Sequence, residues 1–345
     1  MIYGVLHHPN HNRVYFEASL KLAMAEFQIA AANLSTFCQD VQRRNIGGID
    51  YLTFQTQVPL TDDDVVILYQ MSFAYAVFEI AEGHDEFCLR PISKVRKTFV
   101  DDSISSMLKY TGKTNEIFTR MMINVAYFSQ KNREEIHLLD PIAGKGTTLY
   151  EGLIREYHVH GIEISDKVVH EAFHFLKRFL ESARYKFDQK AVRISGPGKS
   201  FKALRHTFEV AATKEDYKNK QTKTVELIAG NSLYADKYIK KNTIDMIVGD
   251  LPYGVQHGNV TNEKQSSLTR NPAQLLDTCL PAWKAVLKTG GSIVLAWNCN
   301  VLPREQLVTI LEKHGFQVMK EQGYLEFQHR VDQAILRDIV VGKKY

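Results

Sequence analysis

The sequence predicts an α/β protein: a doubly wound, mainly parallel sheet with an antiparallel terminal strand pair, preceded by a small N-terminal α+β module. Three observations predict it. From residue 135 onward, short β-branched apolar runs alternate with helix-length segments. One such run leads through a glycine-bearing loop, Pro141-Ile142-Ala143-Gly144-Lys145-Gly146-Thr147-Thr148, into a helix, and the next run ends in an acid, Glu163. The chain has 345 residues, and at roughly 100–200 residues per domain that is room for two domains.

Taken in order, residues 13–17 read as a short strand and 20–34 as an Ala-rich helix. Residues 51–58 alternate like a strand, and Asp62-Asp63-Asp64 opens a helix expected to run to 79, its acids at the positive end of the dipole. A boundary near 92–102 separates a domain 1–100 from a domain 101–345. Asp102 or Ser103 caps a helix to about 109, and Asn115 caps an apolar helix over 117–128. A βαβ unit follows: strand 135–140, the glycine loop, helix 149–157 and strand 158–164. A helix over 166–183, a strand over 224–229 and a strand over 244–249 come next. Beyond a polar segment, a helix over 272–287, a strand over 292–297, a helix over 304–314 ended by Gly315, and two closing strands near 316–327 and 334–341 complete the pattern.

Composition excludes several classes of protein. At 44% hydrophobic and 24% charged, the chain has the balance of a soluble globular protein. No apolar run is long enough to span a membrane, and the first residues lack the basic and apolar regions of a signal peptide. Cys38, Cys88, Cys279 and Cys299 are scattered without metal-ligand spacing. A cytoplasmic protein with reduced thiols and no metal is the expectation.

The net charge of +4 is uneven: residues 184–223 carry eleven Lys/Arg against four acids, a local +7 that leaves −3 for everything else. Such a segment is either a contact for a polyanion or a solvated lysine-rich loop. Lys199, Lys202 and Arg205 are its candidates for substrate contact. Gly198-Lys199-Ser200 is not a phosphate-binding loop, because the position five before Gly198 is Arg193 rather than glycine.

The most chemical stretch is Asp250-Leu251-Pro252-Tyr253-Gly254, placed just past the run Ile244-Asp245-Met246-Ile247-Val248-Gly249. In open α/β sheets, ligands bind outside the carboxyl ends of strands. Asp250 can accept a hydrogen bond or a proton from an amino group. Pro252 fixes the backbone and donates nothing, so nearby carbonyls are free to face a substrate N–H. Tyr253 offers a flat face to a base, and Gly254 permits a turn where a side chain would collide. His257 lies close enough downstream to meet a substrate. Taken alone, the stretch also reads as an ordinary strand-terminal turn.

The glycine loop and Glu163, nineteen residues after Gly144, suit a nucleotide cofactor with ribose hydroxyls. The dinucleotide fingerprint lacks its third glycine. Asp140, at the approach to the loop, would repel a pyrophosphate but suit a cationic amino or sulfonium group.

Asp140-Pro141-x-Ala143-Gly144-x-Gly146-Thr147, then Gly161-Ile162-Glu163, then Asp250-Leu251-Pro252-Tyr253-Gly254 together resemble the amino-directed S-adenosylmethionine-dependent methyltransferases. Among these, the chain is most similar to the RNA guanine-N2 methyltransferases often fused to a THUMP domain. The resemblance covers roughly residues 101–345. Leu251 departs from the commoner second proline, and residues 1–100 show no THUMP pattern. The resemblance implies a Rossmann-like methyltransferase sheet with S-adenosylmethionine as cofactor. It implies that Asp140, Pro141, Ala143, Gly144, Gly146 and Thr147 line the methionine end, with Glu163 and Ile164 at the ribose and Asn231 with Ser232 at the adenine edge. Thr114, Phe118 and Thr119 correspond to the segment that holds the methionine tail, and Asp250 borders cofactor and substrate alike. Asp250, Leu251, Pro252 and Tyr253 would be catalytic, acting on RNA, with tRNA the implied substrate and Tyr253, Gly254 and His257 on the substrate side. A DNA adenine-N6 methyltransferase would use the same acid, proline and tyrosine. A non-catalytic cofactor-binding RNA-binding subunit is the alternative of a different class. Protein glutamine methyltransferases usually begin this motif with asparagine.

Overall fold

In a computed structural model, β1 (Ile2–His7) is the centre of the first sheet. The structure describes all residues except 9–12, 84–85, 95–97, 111–112, 133 and 254–270, and the side chains of 13–18 are likewise outside it. The chain follows β1 with α1 (Arg13–Ala31), β2 (Cys38–Ile46), β3 (Ile49–Thr56), α2 (Asp62–Gln70), β4 (Ala74–Glu82) and β5 (Phe87–Ile92). The strands pair antiparallel in the order β2-β3-β1-β4-β5. Phe54 stacks with Tyr3 at 5.6 Å and meets Phe27 of α1 at 5.0 Å, which fixes the helix on one face. Residues Met1–Lys97 and Lys320–Val331 make one unit, and Thr98–Met319 with Asp332–Tyr345 make the other.

Two expectations for this first unit are corrected. Residues 13–17 begin α1 rather than forming a strand; the Ala-rich helix simply extends further toward the N-terminus. The helix expected over 62–79 ends at Gln70, and Ala74–Glu82 is a strand. Its alternating residues pair with β1 on one side and β5 on the other, and sheet pairing overrides helical propensity. Thr61 opens α2 with a capping box to Asp64.

The second unit holds α3 (Ser103–Met107), α4 (Glu116–Ser129), β6 (His137–Asp140), α5 (Thr147–Ile154), β7 (His158–Glu163), α6 (Asp166–Ser182), β8 (Lys186–Ser195), β9 (Lys202–Ala211), α7 (Lys214–Lys218), β10 (Lys223–Ala229), α8 (Ala235–Tyr238) and β11 (Ile244–Asp250). It continues with α9 (Pro272–Val286), β12 (Leu287–Asn298), α10 (Arg304–Lys313) and β13 (Phe316–Val318). The two-residue β14 (His329–Arg330) falls in the first unit, and β15 (Leu336–Lys344) closes the chain in the second. The sheet order is β13-β15-β12-β11-β6-β7-β10-β9-β8. The run β10-β7-β6-β11-β12 is parallel; β15 joins β12 and β13 antiparallel, and β9 joins β10 and β8 antiparallel. This is the expected doubly wound sheet with its antiparallel closing pair, and a separate antiparallel sheet precedes it.

Both faces of the parallel run are buried, which is why its central strands carry continuous apolar stretches, Met246-Ile247-Val248 in β11 and Ile293-Val294-Leu295-Ala296-Trp297 in β12. Along β12, Ile293, Leu295 and Trp297 join the cluster containing Leu276, Leu280 and Trp283 of α9, whereas Ser292 donates to the Ala126 carbonyl of α4 at 2.8 Å. The chain builds outward from β6 first through β7 to β10, then back through β11 to β12. Strand order therefore reverses between β6 and β11, and a crevice opens at their carboxyl ends.

The basic stretch is neither a loop nor unstructured. It folds as the β8–β9 hairpin, ten residues to each strand and turned at Gly196–Lys199, followed by α7.

Candidate active site

Asp140 and Asp250 end the two strands that flank the reversal. Asp250 pairs in register with Ala296 of β12, and the Leu251 N–H donates to the Ala296 carbonyl at 2.8 Å. The sheet thus holds the backbone one residue past the acid. The Leu251 side chain is buried in the apolar cluster and anchors the tetrad from below. Pro252 and Tyr253 are half-buried; Gly254 and His257 lie outside the described residues.

Two hydroxyls meet the Asp250 carboxylate. Thr114 donates to Oδ2 at 2.6 Å, and Tyr253 donates to Oδ1 at 2.5 Å. Thr114 sits just before Asn115, whose side chain caps α4 through the N–H groups of Ile117 and Phe118. The expected segment 113–119 is therefore brought to the tetrad, with Thr114 on Asp250 and Phe118 and Thr119 buried. Burial pushes the Tyr253 phenol well above its usual range, the adjacent Asp250 charge pushes it further, and Arg337 opposes both. The Tyr253 carbonyl is met at 3.5 Å by the side-chain amide of Asn298, which also donates to the Ala334 carbonyl.

The glycine loop turns tightly after β6. Ala143 N–H donates to the Ile162 carbonyl, and Gly146 N–H to the Ala143 carbonyl, at 2.9 and 2.8 Å. Gly144 and Gly146 have φ of +52° and +92°, conformations glycine adopts without strain. Gly146 caps α5, and Thr147 and Thr148 begin it buried. Pro141 is buried beside them. Gly161 of β7 lets loop and strand approach: a Cβ there would stand 2.6 Å from Leu149 and 2.9 Å from Ala143. Glu163 closes β7 and accepts from the N–H groups of Gly144 at 3.1 Å and Ser165 at 2.9 Å. Ile164 is 40% exposed beside it. Asn231 spends its carbonyl oxygen on the Leu233 N–H, and Ser232 accepts from the Trp283 indole at 2.8 Å.

The electrostatics select among cofactors. Burial pushes the Asp140 carboxyl up to about 7; the Thr148 hydroxyl and Ile142 N–H pull it down, while the Asp250 and Glu163 charges raise it. Burial also raises Glu163, against the N–H groups of Ser165, Gly144 and Ile164. Asp140 thus feels the charges of both Asp250 and Glu163. A pyrophosphate would be repelled, whereas a ligand carrying ammonium and sulfonium charges and ribose hydroxyls matches this set of carboxylate acceptors. Over the Gly144 Cβ position nothing stands within 4 Å, so the loop backbone is open to close approach.

On the hairpin, Lys199 and Lys202 are exposed. Arg205 is not available in the same way: it pairs with Glu226 at 3.3 Å and donates to the Tyr238 carbonyl. Lys186, Lys190 and Arg193 are exposed on β8, the outermost strand, where charge also protects a sheet edge. Sequence reading missed Arg337, buried near Tyr253, and Tyr110, whose ring is crossed by Lys145 at 4.8 Å. The one available signal for Arg337 was an Arg-Asp pair inside an apolar strand. Among the described residues no His/Cys/Asp/Glu group is arranged to hold a metal, and no helix is long and apolar enough to cross a membrane.

The sheet and its crevice define a doubly wound α/β protein with a ligand crevice at the strand reversal. Solved structures to which it is similar include a SAM-dependent methyltransferase from Aquifex aeolicus, 14% identical over 71% of this chain and 100% of that one, with a TM-score of 0.35. Another is a TehB-like SAM-dependent methyltransferase from Corynebacterium glutamicum, 11% identical over 62% of this chain and 83% of that one, TM-score 0.33. An rRNA methylase from Streptococcus thermophilus is 11% identical over 63% of this chain and 89% of that one, TM-score 0.30. No family model and no curated protein matches the chain.

Proposed function

We propose that the protein transfers a methyl group from S-adenosylmethionine to an exocyclic amino group of a base in RNA, guanine N2 in tRNA being the target the motif resemblance favours. The observation that carries this reading is the position of Asp250-Leu251-Pro252-Tyr253 at the carboxyl end of β11, across the strand reversal from Asp140 and the glycine loop.

Asp140, the Gly144–Gly146 backbone and Glu163 would hold the cofactor, with Asn231 and Ser232 toward its adenine. When bound, S-adenosylmethionine supplies an electrophilic methyl group on a sulfonium sulfur. An exocyclic base amine is a weak nucleophile because its lone pair is delocalised into the ring. Asp250 accepts a hydrogen bond from that amine, and a carbonyl near Leu251 or Pro252 accepts the other. Together they favour a pyramidal nitrogen with its lone pair free for attack. A carboxylate has about four acceptor positions, so Asp250 keeps capacity for the amine beside Thr114 and Tyr253. Tyr253 stacks on the base, which reaches the crevice from a loop or an extruded position. The exposed lysines of the β8–β9 hairpin meet the phosphate backbone.

Mass spectrometry of nucleosides from cellular RNA and DNA, with and without the protein, tests the reading. Loss of N2-methylguanosine from tRNA supports it. Loss of N6-methyladenine from DNA instead would overturn the substrate and keep the chemistry.

A further inference from the structure

Arg337 is a charged side chain in a place that gives it no counter-ion. It is 6% exposed, its Nε has no hydrogen-bond partner, and among the described residues no carboxylate lies within ion-pair distance of it. The adjacent Asp338 pairs instead with Arg304 at 2.6 Å. What surrounds the Arg337 guanidinium is aromatic: its Cζ lies 4.4 Å from the Phe118 ring centroid and 5.1 Å from that of Tyr253. Its backbone is set by the β12–β15 register, where it stands opposite Asn298, and the Asn298 amide reaches the Tyr253 carbonyl. One buried cation thus links the helix after Thr114, the last tetrad residue and the closing strand.

A buried charge without an ionic partner is costly, and the partners it has here are two ring faces and the Tyr253 phenol oxygen, toward which the guanidinium also donates. We propose that Arg337 is a positioning residue: it backs one face of Tyr253, fixes the ring as a platform, and leaves the opposite face to the substrate base. This rests on the reading of Tyr253 as the base-stacking residue. The hydroxyl of the same ring already touches Asp250, so fixing the ring plane also fixes the base plane relative to the acid that receives the amine. Loss of the cation would let the ring tilt, and the amine would miss the near-attack geometry while the cofactor pocket stayed intact.

The test uses the full chain, saturated with S-adenosylhomocysteine, and a single-stranded RNA oligonucleotide carrying one 2-aminopurine, whose fluorescence is quenched on stacking. Wild type is compared with Arg337→Met, Arg337→Lys and Tyr253→Ala, with S-adenosylhomocysteine affinity by calorimetry as the control for folding. The proposal expects quenching by wild type, its loss in Tyr253→Ala, and affinity for the probe about 2- to 30-fold weaker in Arg337→Met, the range of a cation–π interaction. Arg337→Lys, which keeps the charge, should recover most of the quench. Should Arg337→Met fail to bind S-adenosylhomocysteine, Arg337→Gln takes its place. Wild-type quenching by an Arg337→Met or Arg337→Gln protein overturns the positioning role while sparing the stacking role of Tyr253. An Arg337→Lys protein as weak as the uncharged variant overturns it too. Absence of quenching by wild type overturns the stacking reading itself, and this proposal with it.

Discussion

Thr114 donates its hydroxyl hydrogen bond to Asp250 at 2.6 Å, joining residues 136 positions apart. The bond does two things at once. It orients one carboxylate oxygen, and it brings the start of α4 to the mouth of the crevice. Thr114→Val keeps the shape and removes the donor. A hydrogen bond to a charged group contributes about 1.5–3 kcal/mol, so methyl transfer should slow by roughly 10- to 150-fold. Single-turnover kinetics with saturating S-adenosylmethionine checks this; an unchanged rate would show that Asp250 is oriented by the sheet alone.

Cofactor binding is expected to depend on pH through Asp140. Its carboxyl is raised from 3.8 to about 7, so the folded chain holds this proton more tightly than the unfolded chain does. Between about pH 4 and 7 the unfolded chain ionises first, and this group therefore lowers the stability of the free protein as pH rises through that window. A cationic ligand needs the ionised form. S-adenosylmethionine affinity should therefore fall by up to about tenfold per pH unit below 7 and level off above it. Calorimetry in buffers of different ionisation heat should detect proton release on binding near pH 7. Asp140→Asn should bind more weakly and remove the pH dependence; a wild-type slope in that variant would assign the titration elsewhere.

Gly161→Ala tests the packing under the glycine loop. Its methyl would press on Leu149 and on Ala143, and overpacking of a closed core typically costs about 1–3 kcal/mol. Thermal unfolding should show a lower midpoint, and cofactor affinity should fall because Ala143 carries the loop. A variant with wild-type stability and affinity would mean that the loop can lift without consequence.

The hairpin prediction concerns salt. Replacing Lys186, Lys190, Lys199 and Lys202 by glutamine should weaken RNA binding. It should also flatten the salt dependence by about 0.7 for each single-strand phosphate that is no longer neutralised. Arg205→Gln should behave differently, costing stability rather than salt slope, because Arg205 is held by Glu226 and Tyr238. An unchanged slope in the lysine variant would leave those side chains the sole task of protecting the sheet edge.

The part of the fold that could be read from the residues is the part whose signals are local. Buried parallel strands are continuous apolar runs, so β6, β7, β10, β11 and β12 announce themselves, as does the turn chemistry of the glycine loop. The break between α2 and β4 could not be read, because the alternation of Ala74–Glu82 gains meaning only when β1 lies alongside. The β8–β9 hairpin was hidden for a different reason: an exposed edge strand full of lysine has the composition of a loop. At the site, the tetrad stood out as consecutive residues. Arg337 did not, since its role comes from two rings delivered by other elements.

Asp250 is proposed to serve transfer rather than cofactor binding, and one comparison separates the two roles. It is the methylation rate of Asp250→Ala on RNA from cells lacking the protein, with S-adenosylmethionine affinity measured on the same preparation. The expected result is a rate reduced by several orders of magnitude with affinity nearly intact, because the carboxylate matters most as the amine becomes pyramidal. Asp250→Ala methylating that RNA at the wild-type rate would contradict it.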